Sequence, residues 1–141
     1  MSFFDAIQTV WSKYAIFSGR ASRPEFWWWT LFTVLLSILM GFMDEALTEA
    51  ATEAAWGYAP FAEILWVEPL GLITSMVLML PSISVGVRRL HDIDRSGWWY
   101  LIILIPIIGA LVLLYWWVLP STKDINSYGV PPSAANPDTH V

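Results

Sequence analysis

The chain has 141 residues, a length that suits one domain, and 57% of them are hydrophobic. Only 13% are charged, whereas soluble domains average about 25% charged residues, so the composition predicts a membrane protein. The formal net charge of -5 argues against a nucleic-acid partner, and the absence of cysteine excludes disulfides and thiol chemistry.

The first residues predict an amphipathic helix at about 3–17. Apolar residues recur there at spacings of three and four from Phe3 to Phe17, and polar residues such as Gln8 fill the other face. A signal peptide would need a basic start and an apolar stretch, but Asp5 lies near the start. The helix is expected either to pack on the protein or to lie among lipid headgroups, since both bury the same face.

Three apolar runs predict an all-α integral membrane protein with three transmembrane helices. A bilayer core of ~30 Å needs about 20 helical residues at 1.5 Å each. The second run contains Pro81, and Ser and Thr side chains nearby can help to satisfy the backbone groups that a proline frees. The predicted spans are about 26–43, 70–87 and 98–119, none of which carries a charge.

The basic residues predict which side each loop occupies, because short cytoplasmic loops retain Lys and Arg. Six of the seven basic residues precede the first span or lie between the second and third, whereas the first connection holds six carboxylates and no basic residue. Three crossings then place the N-terminus in the cytoplasm and the C-terminus outside. We predict one helical membrane domain over 1–119 and an irregular or disordered tail over 120–141.

The acidic connection, about 44–66, admits two interpretations. As a fourth membrane segment it would bury Glu49 and Glu53 without a basic partner, at roughly 2.5–3.5 kcal/mol for each charge near the bilayer centre. The favoured interpretation is therefore a surface helix from Ala46 to Trp56, broken by Gly57.

Two polar clusters at the predicted cytoplasmic face form the candidate binding site. In the first, Ser22 and Glu25 have the spacing of a capping box, and the arginines can fork onto phosphate oxygens. The second contains one His beside carboxylates, which is a weak metal signal, so we predict no metal and no cofactor. We expect the two clusters to interlock through ion pairs. The candidate site residues are Arg20, Ser22, Arg23, Glu25, Arg88, Arg89, His91, Asp92, Asp94 and Arg95.

The stretches FSGRASRPEFWWWTLF and RRLHDIDRSGWW together resemble the domain of unknown function 805 family, the YhaH-like proteins. The resemblance extends from about Tyr14 to Trp117. The tail matches the family's ending in part: Asn126, Tyr128 and Gly129 fit it, whereas Ser121 and Asp124 replace its glycines and Val130 replaces its proline. It implies a small multi-pass protein of the bacterial inner membrane. It brings no established activity and no catalytic residue.

Two classes of function fit these residues. The favoured class is a non-enzymatic membrane module that binds lipid, including anionic headgroups, or a membrane protein partner, and that assembles as a homo-oligomer through small residues of the second span. The alternative is an oligomeric transporter or membrane enzyme that uses His91, Asp92 and Asp94 at the cytoplasmic face. The first class predicts that His91→Gln is tolerated.

Overall fold

The computed structural model describes residues 1–54 and 69–135, apart from the side chains of 51–54 and 135. Every regular element in these ranges is helical, which confirms the predicted fold class. The elements are α1 (Phe3–Ser12), α2 (Arg23–Ala54), α3 (Pro69–Asp92), a 3₁₀ helix (Gly97–Leu104), α4 (Ile108–Val118) and the one-turn α5 (Pro132–Ala135).

Helices α2 and α3 are long and apolar enough to cross a membrane, and they contain the predicted first and second spans. Their membrane-capable stretches cover 28 and 24 residues, or about 42 and 36 Å of helix, against a bilayer core of ~30 Å. Only 11% and 28% of their most apolar windows is buried inside the protein. Such exposure suits helices that are surrounded by lipid.

Helix α3 continues through Pro81, as predicted for a span with hydroxyl side chains nearby. The Ser84 hydroxyl donates to the Pro81 carbonyl oxygen at 3.0 Å. Pro81 itself has no N–H group to donate to the carbonyl of Val77, four residues earlier.

Helix α2 extends past the predicted end of the first span. We expected a span to residue 43 and a separate surface helix over 46–56, but α2 is unbroken to Ala54. The residues at the junction, Met43 to Ala46, include neither Gly nor Pro, so no local signal ends the helix there. The remainder of the acidic segment, 55–66, lies outside the described residues.

The Asp44 carboxylate caps the start of α3. Its two oxygens accept hydrogen bonds from the backbone N–H groups of Leu70 at 3.0 Å and Gly71 at 2.8 Å, and the residue is 2% exposed. The first N–H groups of a helix have no intrahelical partner and carry a partial positive charge. Asp44 is therefore a structural residue and not part of a solvated acidic face.

Helix α1 begins with a capping box and is shorter than predicted. The Asp5 backbone N–H donates to the Ser2 hydroxyl at 3.2 Å, and the Ser2 backbone N–H donates to the Asp5 carboxylate at 2.8 Å. The hydrogen bond from the Ser2 backbone N–H, followed by that from the Ser2 side chain, lowers the pKa of the Asp5 carboxylate. The helix ends at Ser12, not Phe17, where the Ser12 hydroxyl donates to a preceding backbone carbonyl and competes with the helical ladder.

Helix α1 packs on the protein along one face and keeps apolar side chains exposed on another. Ala6 and Val10 are fully buried, and the Phe3 ring contacts Trp28 edge to face at 5.7 Å. Phe4, in contrast, is 78% exposed. One face thus packs on the protein, and an apolar strip of the kind that interfacial helices insert into lipid stays exposed.

The third predicted span, 98–119, is helical but is not one continuous helix. The 3₁₀ helix and α4 are separated at Pro106 and Ile107. Pro106 has no N–H group and disfavours helical backbone at the residue before it. Ile107 has φ of 64°, in the left-handed region that branched residues rarely adopt.

The two halves of this segment fold back on each other as an antiparallel hairpin. Near the break, the backbone of Gly109 lies directly against the Ile102 carbonyl, and farther from it the rings of Trp99 and Trp116 are 5.5 Å apart. Each arm, at 8 and 11 residues, is about 16 Å long. Neither arm alone reaches across a bilayer core of ~30 Å.

Gly109→Ala is expected to weaken the hairpin, because an added Cβ would overlap the carbonyl oxygen of Ile102 and force the arms apart. Such overpacking costs about 1–3 kcal/mol. Gly41→Ala is the control, since a Cβ there meets nothing within 4 Å and alanine favours helix. Thermal unfolding in mild detergent should show a lower midpoint for the first variant only. Equal midpoints would contradict the close packing at Gly109.

The chain separates by its internal contacts into two compact units, Met1–Thr30 with Leu80–Val141, and Leu31–Met79. All the candidate site residues belong to the first unit. The predicted division into one membrane domain and a tail stays a prediction.

Candidate functional site

The structure joins the two predicted clusters through Asp92. Arg20 from the first cluster donates to one carboxylate oxygen of Asp92 at 2.9 Å, and Arg89 from the second donates to the other oxygen. All three side chains are almost wholly buried. The two clusters are therefore joined by an ion pair, as expected, between Arg20 and Asp92, which are 72 positions apart in the sequence.

A second buried ion pair joins Arg88 to Glu25 at 2.5 Å. One of the two hydrogen bonds of the predicted capping box forms: the Glu25 backbone N–H donates to the Ser22 hydroxyl at 3.3 Å. The Glu25 carboxylate pairs with the arginine, since a bond between two charged groups is worth more than one to a neutral N–H. The Ala21 N–H donates to the Arg88 carbonyl at 3.0 Å and brings the backbones of the two clusters together.

Arg89 also binds the C-terminal end of α4. It donates to the Trp117 carbonyl at 3.1 Å and to the Leu119 carbonyl. Carbonyls at the end of a helix lack intrahelical partners and carry a partial negative charge. The hairpin begins just after the C-terminal end of α3. Because Leu119 contacts Arg89 at that end, the chain comes back to it after the hairpin.

The C-terminal tail completes the network, a role that sequence reasoning did not predict. The guanidinium of Arg20 donates to the backbone carbonyls of Thr122 at 2.6 Å, Asp124 at 3.0 Å and Gly129 at 3.2 Å. Gly129 has φ of 118°, which favours glycine at this turn. One arginine therefore holds the tail against both clusters.

His91 is packed between the loop before α2 and the tail. Its ring stacks on Tyr128 with centroids 3.8 Å apart and planes 4° apart, and its Nδ1 lies 3.1 Å from the Gly19 carbonyl oxygen. A carbonyl only accepts, so Nδ1 carries the hydrogen in this bond. The Asn126 amide donates to the His91 carbonyl at 2.9 Å. The imidazole thus serves as a packing group here.

Three predicted site residues lie at the edge of the network. Arg23 is exposed and makes one long bond, to a backbone carbonyl at 3.4 Å. Asp94 is exposed and accepts from the Ser127 N–H at 3.2 Å. Arg95 lies over the ring of Trp116 at 4.4 Å, a cation–π contact.

Sequence reasoning missed the tail residues that contact the clusters. Thr122 is the clearest case, because its hydroxyl both lies 2.9 Å from an Arg20 nitrogen and donates to the Asp92 carbonyl at 3.1 Å. The sequence signal that could have pointed to these residues is the partial match between the C-terminal tail and the family's tail pattern. Asn126, Tyr128 and Gly129 keep that pattern, and all three contact the network.

A pocket of about 590 Å³ opens beside the network. The residues in its wall include Lys13, directly after α1, Arg20 and Glu25 of the first cluster, and Ser133 near the end of the described tail. Behind Glu25, the Nε and Nη2 atoms of the buried Arg88 have no hydrogen-bond partner among the described residues.

Two apolar helices of membrane length and a buried network of arginines and carboxylates define a small multi-pass helical membrane protein. The chain belongs to the family described as protein of unknown function (DUF805), whose family model matches residues 14–130. This result confirms the resemblance that the two sequence stretches indicated.

Two relatives come from Escherichia coli (strain K12). The chain is similar to inner membrane protein YhaH, with 34% identity over 123 residues that cover 87% of this chain and 92% of YhaH. It is also similar to inner membrane protein YhaI, with 32% identity over 124 residues that cover 88% and 92%. No solved structure matches the chain. The comparisons support a location in the bacterial inner membrane.

Proposed function

We propose that this protein is a non-enzymatic module whose cytoplasmic face binds anionic lipid headgroups. The observation that supports this function is an excess of buried positive charge. In the part of the chain that the structure describes, Arg20, Arg88 and Arg89 pair with two buried carboxylates, Glu25 and Asp92, so three charges minus two leaves one positive charge uncompensated. Basic groups close to a membrane surface attract anionic lipid by about 1 kcal/mol each.

The alternative, a transporter or enzyme that uses His91, Asp92 and Asp94, has less support. Both oxygens of Asp92 accept from arginines, and the His91 ring is stacked with its Nδ1 on a carbonyl. A general base or proton carrier needs a position at which it can exchange a proton with substrate or water.

We further propose that both ends of the chain lie in the cytoplasm. The basic residues favour the cytoplasm for both clusters, and the contacts of the tail with Arg20 keep it beside them. The segment 98–119 would then enter the membrane and return. This proposal departs from the expectation of three crossings and an external C-terminus.

The backbone at the tip of the hairpin is compatible with such a placement. The N–H groups of Ile105, Ile108 and Gly109 donate to carbonyls within the hairpin, at 2.9, 2.7 and 3.0 Å, and Pro106 has no N–H to satisfy. A non-helical turn at membrane depth requires such internal partners.

Native mass spectrometry of the full chain, released in mild detergent with equal amounts of phosphatidylglycerol and phosphatidylethanolamine, tests the lipid function. We expect roughly five- to tenfold more phosphatidylglycerol adducts, the ratio for a preference of about 1–1.4 kcal/mol. Equal retention of the two lipids, or a protein partner in place of lipid, would count against this proposal.

A further inference from the structure

The pocket beside the network has walls that suit a phosphate group. Lys13 carries an ammonium group, and Thr9, Ser22 and Ser133, which carry hydroxyl groups, line the same pocket. Ammonium and hydroxyl groups are common donors to phosphate oxygens. The Ser22 oxygen accepts from the Glu25 N–H, a bond that does not use the hydroxyl's own hydrogen.

The charged side chains that line the pocket, Lys13, Arg20 and Glu25, sum to one positive charge. Glu25 lines it as well, but its carboxylate is paired with Arg88, two of whose nitrogens have no other partner among the residues described. Arg20 also lies in the wall and shares Asp92 with Arg89. The hydrogen bonds of Arg20 are directed to Asp92 and the tail, so it contributes charge and Lys13 contributes the direct contact.

The position of the pocket favours a lipid over a soluble phosphate compound. One wall is α1, whose Phe4 and Trp11 are exposed next to the buried face of the helix. Apolar side chains of this kind enter the boundary between headgroups and acyl chains. The pocket would then lie at the depth of lipid phosphates.

We infer that the pocket between α1 and the tail binds the phosphate of an anionic lipid headgroup, with Lys13 as its direct ligand. The inference rests on the proposed lipid function and assigns it a site. It predicts that Lys13, which is half-buried, matters for lipid retention and that the exposed Lys123 does not.

The test compares Lys13→Gln with Lys123→Gln, which removes the same charge from an exposed tail position that is not in the pocket wall. In native mass spectrometry with phosphatidylglycerol, we expect about fivefold fewer adducts for Lys13→Gln. Lys123→Gln should match wild type, and Lys13→Arg should restore binding because it keeps the charge. Equal losses in the two Gln variants would indicate diffuse attraction and overturn the site.

Two further outcomes separate the site from the function. If wild type prefers phosphatidylglycerol and Lys13→Gln keeps that preference, the pocket is wrong and the lipid function stands. If wild type shows no preference, the lipid function itself is wrong. Displacement of the lipid by millimolar inorganic phosphate would show that the pocket takes free phosphate, which overturns the choice of a lipid.

Discussion

Replacing Asp92 by Asn is expected to destabilise the protein by about 3–5 kcal/mol, because it removes the carboxylate that two buried arginines share. Arg20 and Arg89 have side chains that are 1% and 0% exposed, so water cannot take the place of the lost charge. Asparagine has nearly the same size and shape. The loss would therefore measure electrostatics and not packing.

Denaturant unfolding in mild detergent, followed by tryptophan fluorescence, measures this effect. The control is Asp94→Asn, since Asp94 is exposed and accepts one bond from a backbone N–H. Asp94 has φ of 58°, a conformation that asparagine also tolerates, so we expect a change within about 0.5 kcal/mol. Similar unfolding midpoints for the two variants would show that Asp92 does not hold the network together.

Arg20→Ala is expected to release the C-terminal tail while Asp92 keeps its pair with Arg89. The change removes the bonds from Arg20 to the carbonyls of Thr122, Asp124 and Gly129. Hydrogen bonds that involve a charged group are worth about 1.5–3 kcal/mol each. Even one such loss raises the population of the undocked tail roughly tenfold.

Limited trypsin digestion can detect this release, because Lys123 is the only basic residue after Arg95. Cleavage that requires local opening follows the population of the open form, so the fragment from Asp124 onward should appear at least about tenfold faster in the variant. Inverted membrane vesicles, which expose the cytoplasmic face, are the appropriate sample.

The matched control for tail release is Arg23→Ala. Arg23 is exposed and, among the residues described, makes only the bond of 3.4 Å, so its loss should leave the cleavage rate close to that of wild type. Equal rates for Arg20→Ala and wild type would show that Arg20 does not anchor the tail. Cleavage in intact spheroplasts but not in inverted vesicles would contradict the cytoplasmic placement of the tail.

Much of the site was predictable because its charged residues are concentrated in two short stretches. Arg20, Glu25, Arg88, Arg89 and Asp92 were all identified as candidates, and the expectation that they pair follows from the cost of leaving charges unpaired in a poorly hydrated place. Which arginine meets which carboxylate was not predictable, since each cluster offers several partners at similar distances along the chain.

The tail and the hairpin were less predictable because their determining contacts are distant in sequence. Arg20 binds carbonyls more than 100 positions away. Every residue has a backbone carbonyl, so the sequence does not indicate which ones an arginine binds. The run 98–119 satisfies the length rule for a transmembrane helix, and Pro106 alone does not distinguish a kinked span from a turn.

The sequence by itself determined that this is a helical membrane protein, because apolar runs of about 20 residues can hide their backbone only as helices in lipid. It also determined where the charges concentrate. Only the tertiary structure decided that Ile107 turns the third apolar run back on itself and that Arg20 holds the tail. Those features depend on side-chain packing and on backbone groups brought together by folding, which local periodicity does not encode.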